Sequence, residues 1–298
     1  MKSPDPADLG PLPGAVELTP QAGDRIGDLL RKKPGLSDKQ LEEVLAYQRE
    51  HGVPLGKAAI ALGFASNADV MEALSQQFRY PLVSRDGTFA RTGAVVTAAD
   101  PFGDEAEGFR ELRTELLERG FANGVRRALA IISPQAGDGK SYVASNLAVT
   151  FGQLGRNTLL IDANLRSPTQ HRLFGVDQTP GLSGMLAGRK ESNVVHQTSD
   201  MPQLCLLAAG AVPPNPLELL QQDAFRFLIQ EMLERFDCVI VDTPASLHGP
   251  DARVIAAVAG AALVVGRKNE SRIAELQKTL ASLANGPAQL AGVVVNDY

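Results

Sequence analysis

The run Ala136-Gly137-Asp138-Gly139-Lys140-Ser141 follows the apolar stretch Leu129-Ala130-Ile131-Ile132 and opens into Tyr142-Val143-Ala144-Ser145-Asn146-Leu147-Ala148, a helical pattern. A Gly-Lys-Ser ending between a strand and a helix reads as a phosphate-binding loop. Its glycines let successive backbone N–H groups turn inward on phosphate oxygens, and Lys140 reaches the outer phosphates. The Ser141 hydroxyl is placed to hold Mg²⁺, and Tyr142, opening the helix, closes the expected nucleotide-binding run that Gly137 and Asp138 begin. The general pattern has glycine five residues before Gly139, where this chain has Pro134. A glycine-rich turn alone accounts for Gly137 and Gly139 but not for the ending. The expected ligand is ATP with Mg²⁺.

Length and charge bound the rest. At 298 residues there is room for one large and one small domain. A formal charge of −5 with interspersed signs gives no basic field, so no nucleic-acid partner is expected. Cys205 and Cys238 sit in apolar runs as buried thiols, and no Cys/His cluster has metal spacing, which fits a cytoplasmic chain. The first residues lack the layout of a signal peptide. The longest apolar run, residues 254–266, reads as a helix, a turn at Gly260 and a buried strand. It is too short to span a bilayer, which needs about 20 residues.

Strand-like runs at 128–133, 157–162, 204–208, 238–242, 262–266 and 291–296 alternate with helical segments. Such near-continuous apolar strands predict an α/β fold of the P-loop NTPase type, a mostly parallel sheet covered by helices on both faces. Two of the strands end in acid, at Asp162 and Asp242. An Asp ending a strand is ordinarily a turn former. Beside a phosphate loop on one sheet, the pair reads instead as catalytic with Lys140, and as a metal shell with Ser141.

Residues 25–77 repeat at a period of 29, pairing Ile26 with Leu55, Gly27 with Gly56, Leu41 with Val70, Leu45 with Leu74 and Gln48 with Gln77. Each copy reads as a short helix, a turn at Gly35 or Gly63, and a longer helix opened by an N-cap-like serine, Ser37 or Ser66. Leu41/Leu45 and Val70/Leu74 are expected to face a shared small core. The organisation expected is a disordered segment over 1–22, a small all-helical repeat domain over 23–83, a linker over 84–104 and the P-loop domain over 105–298.

With these residues in view, the segment from Glu105 to Tyr298 resembles the bacterial tyrosine autokinases of exopolysaccharide export, in their chain-length-determinant branch. Asp162-Ala163-Asn164-Leu165-Arg166 resembles their second Walker motif, Asp-x-Asp-x-Arg, and Asp242-Thr243-Pro244 their Walker B. Glu107, Arg110 and Arg113 match an oligomerisation helix, Glu-x-x-Arg-x-x-Arg; by spacing alone they form an ion-paired helix face. The resemblance implies a homo-oligomer that brings one subunit's terminal tyrosine to another's ATP. It also implies a membrane polysaccharide co-polymerase as partner, with this chain peripheral at the inner membrane, and, by analogy with related Walker ATPases, an adenine contact from Asn296. The chain departs at Asn164, where the motif has a second Asp, and in having only Tyr47, Tyr80, Tyr142 and Tyr298. Tyr142 reads as packed, which leaves Tyr298 as phosphoacceptor.

The N-terminal repeat resembles the MshE-type domain of secretion and pilus ATPases, which binds cyclic di-GMP through tandem motifs opening with Arg-Leu-Gly. On that resemblance Arg25, Gly27, Gln48, Gly56 and Gln77 are candidate ligands, the glycines admitting phosphate and Arg25 pairing with phosphate or a guanine edge. Pro34 and Arg31 depart from the pattern. A helical docking module without ligand is the competing reading.

A tyrosine autokinase is therefore the expectation. Its rival is a nucleotide switch of the same assembly, cycling by ATP hydrolysis without phosphotransfer. A positioning ATPase of the MinD/ParA type ranks last, because residues 133–138 hold no lysine and the C-terminus no basic amphipathic helix.

Overall fold

The computed structural model describes residues 25–32, 35–78, 95–118, 126–199 and 201–297. The expectations placed on 1–22, Pro34, Tyr80, most of the linker and Tyr298 lie outside these residues. The described chain divides into two compact units, residues 25–78 and residues 95–297.

The first unit holds four helices, α1 (Ile26–Lys32), α2 (Asp38–His51), α3 (Leu55–Ala61) and α4 (Asn67–Phe78). Ser37 opens α2 with a reciprocal capping box: its hydroxyl accepts from the Gln40 N–H, and Gln40 Oε1 accepts from the Ser37 N–H at 2.9 Å. The arrangement recurs 29 residues on, between Ser66 and Asp69. The core contains Leu30, Val44, Ala58, Ala59, Val70 and Ala73. Leu41 and Val70 are buried as expected and Leu74 packs partly buried against this core, while Val44 and Ala73 are more central than the half-buried Leu45 and Leu74.

The second unit opens earlier than expected. Residues 95–104 are not linker: the short helix α5 (Val96–Ala99) is pinned to the helix after the phosphate loop, with Val95 fully buried. The Thr97 N–H and hydroxyl both donate to Asn146 Oδ1 at 3.0 Å, and Gln153 Nε2 donates back to the Thr97 carbonyl at 2.8 Å. Helix α6 (Asp104–Leu116) follows.

Seven strands then form one sheet: β1 (Ala128–Ile132), β2 (Thr158–Asp162), β3 (Val195–Thr198), β4 (Met201–Leu207), β5 (Cys238–Asp242), β6 (Gly260–Arg267) and β7 (Gln289–Asn296). The order is β3-β4-β2-β5-β1-β6-β7, parallel except for β3 at one edge. β3 escaped the sequence reading because Val195-His196-Gln197-Thr198 is a short, largely polar edge strand.

The helices are α7 (Lys140–Gln153), α8 (Gln170–Phe174), α9 (Leu182–Leu186), α10 (Pro216–Leu220), α11 (Asp223–Arg235), α12 (Asp251–Ala259) and α13 (Ile273–Ala284). Alternate side chains of β1 serve opposite layers. Leu129 and Ile131 pack with Leu147 and Phe151 of α7, whereas Ala128, Ala130 and Ile132 pack into the cluster holding Phe225 and Ile255. Burial on both faces is why the central strands read as unbroken apolar runs. Gly260 ends α12 at φ 88°, and both cysteines are buried in strands. Among the described residues no helix is long and apolar enough to cross a membrane.

Candidate functional site

The chain leaves β1 toward β2 on one side and, after β5, returns past β1 to β6 on the other. Such a reversal opens a crevice at the strand carboxyl ends, and residues 133–139 lie there. Gly137 and Gly139 take φ of 91° and 98°, values that favour glycine. Gly139 is also closed in by Asn296, whose Nδ2 lies 2.2 Å from where a Cβ would stand and donates to the Asp138 carbonyl at 3.3 Å. Helix α7 starts immediately beyond, with no side-chain cap on its first N–H groups. An uncapped 14-residue helix behind a glycine loop is a ready anion site.

The loop is braced from two sides. Asp138 accepts from the Gln135 N–H at 2.7 Å and from the Ser271 hydroxyl at 2.7 Å. Lys140 is almost fully buried and folds back, donating to Ser133 Oγ at 2.9 Å and the Gln135 carbonyl at 3.0 Å. Burial pushes its pKa below the usual ammonium value, while Asp242 and Asp138 pull it back up.

Asp162 and Asp242, paired in register across β2 and β5, have no exposed surface. Asp162 accepts three backbone N–H bonds, from Asn164, Thr169 and Gln170. Burial, and then the neighbouring Asp242 charge, still push its pKa up to about 7. Burial raises Asp242 as well; the Ser141 hydroxyl, the Gln170 amide and the Lys140 charge oppose that rise. Asp242 Oδ2 accepts from Gln170 Nε2 at 2.8 Å; the Ser141 hydroxyl lies near the carboxylate, but among the described residues none meets the buried Oδ1 in hydrogen-bond geometry. An orphaned buried carboxylate oxygen near Ser141 and Lys140 fits a hard cation with oxygen ligands.

Asn164 is not simply a charge deleted from a motif. Its Nδ2 donates to the Ser167 carbonyl at 2.8 Å and its Oδ1 accepts from the Ser167 N–H at 3.1 Å. A carboxylate cannot make the first bond. Arg166, the motif's last residue, pairs with the buried Asp251. Sequence reasoning missed Gln170, whose importance comes from partners 29 and 72 residues away.

Tyr142 is packed: its hydroxyl donates to Glu105 Oε2 at 3.3 Å and its ring meets Phe109 edge-on at 5.7 Å. Both residues, with Val143, Val295 and Asn296, help to line a cavity of about 350 Å³ beside the loop. On α6, Arg110 bonds Glu107 and the Pro101 carbonyl, and Arg113 donates to the Thr150 carbonyl of α7 at 2.7 Å. The two arginines therefore have partners within the chain, while the Glu107 side chain is largely exposed.

In the helical unit, the small size of Gly56 serves packing. A Cβ there would collide with Val70 Cγ1, whereas one at Gly27 would meet Leu41 at 3.8 Å, an ordinary contact. Arg25 opens α1 exposed, and Gln48 and Gln77 are half-buried.

Residues 124–296 match the ParA family, described as NUBPL iron-transfer P-loop NTPase. The chain is 34% identical over 202 residues to tyrosine-protein kinase YwqD of Bacillus subtilis, covering 68% of this chain and 85% of that protein. It is 32% identical to tyrosine-protein kinase ptk of Acinetobacter johnsonii, but spans only 26% of that protein. The solved kinase domain of Escherichia coli tyrosine kinase ETK superposes with a TM-score of 0.64 at 33% identity, covering 68% of this chain and 79% of that one. The P-loop NTPase fold implies binding of ATP and Mg²⁺. The chain belongs to the bacterial tyrosine-protein kinases built on a ParA-like P-loop domain.

Proposed function

We propose that this chain is an ATP-dependent tyrosine autokinase of the chain-length-determinant (EpsG) type. In this reading it regulates exopolysaccharide length or export with a membrane co-polymerase, held at the inner face of the membrane by that partner. The observation that carries the catalytic part is the orphaned, buried Asp242 Oδ1 close to Ser141 and Lys140, at the uncapped start of α7. Ser141, Asp162 and Asp242 would hold Mg²⁺, which neutralises charge between phosphates when bound. The loop N–H groups and Lys140 bind the phosphates, Lys140 exchanging its two loop oxygens for them. One of the two carboxylates, Asp162 or Asp242, accepts the proton of the attacking hydroxyl. The cavity beside Tyr142 and Asn296 receives the nucleoside.

In the same reading Glu107, Arg110 and Arg113 form the contact between subunits, a role supported by the exposure of Glu107. Tyr298 is the phosphoacceptor. The rival, a switch ATPase without phosphotransfer, is favoured by one observation: Tyr142 is packed, and few other tyrosines remain.

One experiment separates them. Purified protein incubated with Mg-ATP is analysed by tryptic mass spectrometry, with Lys140→Met and Tyr298→Phe controls and parallel phosphate release. Phosphotyrosine that requires Lys140 and disappears in Tyr298→Phe is the expected result. Hydrolysis without phosphotyrosine, even with the membrane partner present, would establish the switch.

For the helical unit we infer an MshE-type module; its motif is what supports cyclic di-GMP binding through Arg25, Gly27, Gln48, Gly56 and Gln77. A thermal-shift titration tests it: ligand at 100 times Kd adds roughly 2.7 kcal/mol, which Arg25→Ala should abolish. No shift leaves a docking module.

A further inference from the structure

Among the described residues, Gln170 is the one whose side chain touches both the start of α7 and the Walker B acid while its own backbone holds the other acid. It is fully buried. Its N–H donates to Asp162 Oδ2 at 3.0 Å, and its Nε2 donates to both Asp242 Oδ2 at 2.8 Å and the Ser141 carbonyl at 3.1 Å. Both side-chain partners are acceptors, which fixes the carboxamide with its nitrogen toward them. The remaining atom, Oε1, is buried and has no hydrogen-bond partner among the described residues.

Two orphaned acceptors therefore belong to one bonded pair, Gln170 Oε1 and Asp242 Oδ1. Buried acceptors are costly when unsatisfied, and native structures leave few without a reason. Gln170 takes up a lone pair of Oδ2 and leaves Oδ1 as the less engaged oxygen of Asp242, the one more readily offered to a cation. It does this without adding charge between two acids already in register. A metal-bound water, a donor, matches what Oε1 lacks.

We propose that Gln170 is a positioning residue for the Mg²⁺–nucleotide site, orienting Asp242 so that Oδ1 meets the cation and offering Oε1 to a water of its shell. The inference rests on the nucleotide-site reading above. It predicts that Gln170 matters for the metal-dependent part of nucleotide affinity and not for the part the phosphate loop supplies alone.

The test is ADP affinity by calorimetry, in Mg²⁺ and in EDTA, for wild type and Gln170→Met, a variant of similar length without hydrogen bonds. Wild type should bind more tightly with Mg²⁺. Gln170→Met should keep its EDTA affinity within about twofold and lose roughly tenfold of the Mg²⁺-dependent gain, the scale of one bond to a charged group. A gain within twofold of wild type overturns the proposal. An equal loss in both conditions also overturns it, since that is a merely structural effect. Thermal unfolding without nucleotide checks that the variant folds; should it not, Gln170→Asn, one methylene too short to bridge both acceptors, must show the same selective loss. Wild type that binds ADP in neither condition would remove the nucleotide reading itself, and this inference with it.

Discussion

Asp162 stands directly opposite Asp242 in the β2–β5 ladder, so two carboxylates end neighbouring parallel strands without reaching solvent. The pair ties stability to pH. Native Asp162 holds its proton up to about pH 7, against an ordinary value of 3.8. Between those values the folded state binds more protons than the unfolded one. The stabilisation is thus complete below the unfolded value and is lost as pH rises through the folded value. Urea unfolding of wild type and Asp162→Asn in EDTA reads this out. The wild-type advantage should shrink from pH 4 to pH 7 by on the order of 1–3 kcal/mol and then stay level. A difference independent of pH would mean that Asp162 is ionised throughout.

Asn164 supplies the second prediction. Its amide donates to and accepts from the backbone of Ser167, closing the turn after β2. Restoring the motif residue with Asn164→Asp removes the donor and sets a carboxylate against the Ser167 carbonyl. Nucleotide-free stability should fall by about 1–2 kcal/mol. Denaturant midpoints in EDTA measure it, and an unchanged midpoint would show that the turn does not depend on the amide.

Gly139 carries two separable constraints. Its φ of 98° is strained for any side chain, and Asn296 Nδ2 occupies the space a Cβ needs. Gly139→Ala should cost about 1–3 kcal/mol from the backbone alone, plus the clash. Adding Asn296→Ala removes only the clash. The double variant should therefore melt above Gly139→Ala and still below Asn296→Ala. Strictly additive melting shifts would show that Asn296 simply moves aside.

How far the sequence is legible follows the range of the interactions. β1, β2 and β5 announce themselves because burial on both faces demands unbroken apolar runs, and the acids ending β2 and β5 are visible as breaks in those runs. The loop is legible because its chemistry is contiguous. β3 is not, since an edge strand with one partner needs little apolar content. Gln170 and Asn164 look like ordinary turn residues until the fold brings Asp242 and Ser141 to the first and closes Ser167 onto the second. The 29-residue repeat is visible in sequence; that Gly56 lies tight against Val70 is not, because the contact joins two different helices.

Helix α5 shows the same limit most sharply and gives the last prediction. Four residues, Val96-Thr97-Ala98-Ala99, have no readable periodicity, and their neighbours resemble a linker. Their place is set from a distance, by Asn146 and Gln153 on α7, with Val95 and Ala98 buried against the same layer. The underside of the phosphate-loop helix is thus completed by residues upstream of the motif-bearing segment. A fragment starting at residue 105 exposes that layer and removes the Thr97 donors from Asn146 Oδ1; one starting at residue 95 does neither. The shorter fragment should be less stable by several kcal/mol, from two buried apolar side chains and three lost hydrogen bonds. Asn146→Ala in the longer fragment should reproduce only the polar part, about 2–3 kcal/mol. Equal melting temperatures for the two fragments would show that α5 contributes nothing to the fold of this unit.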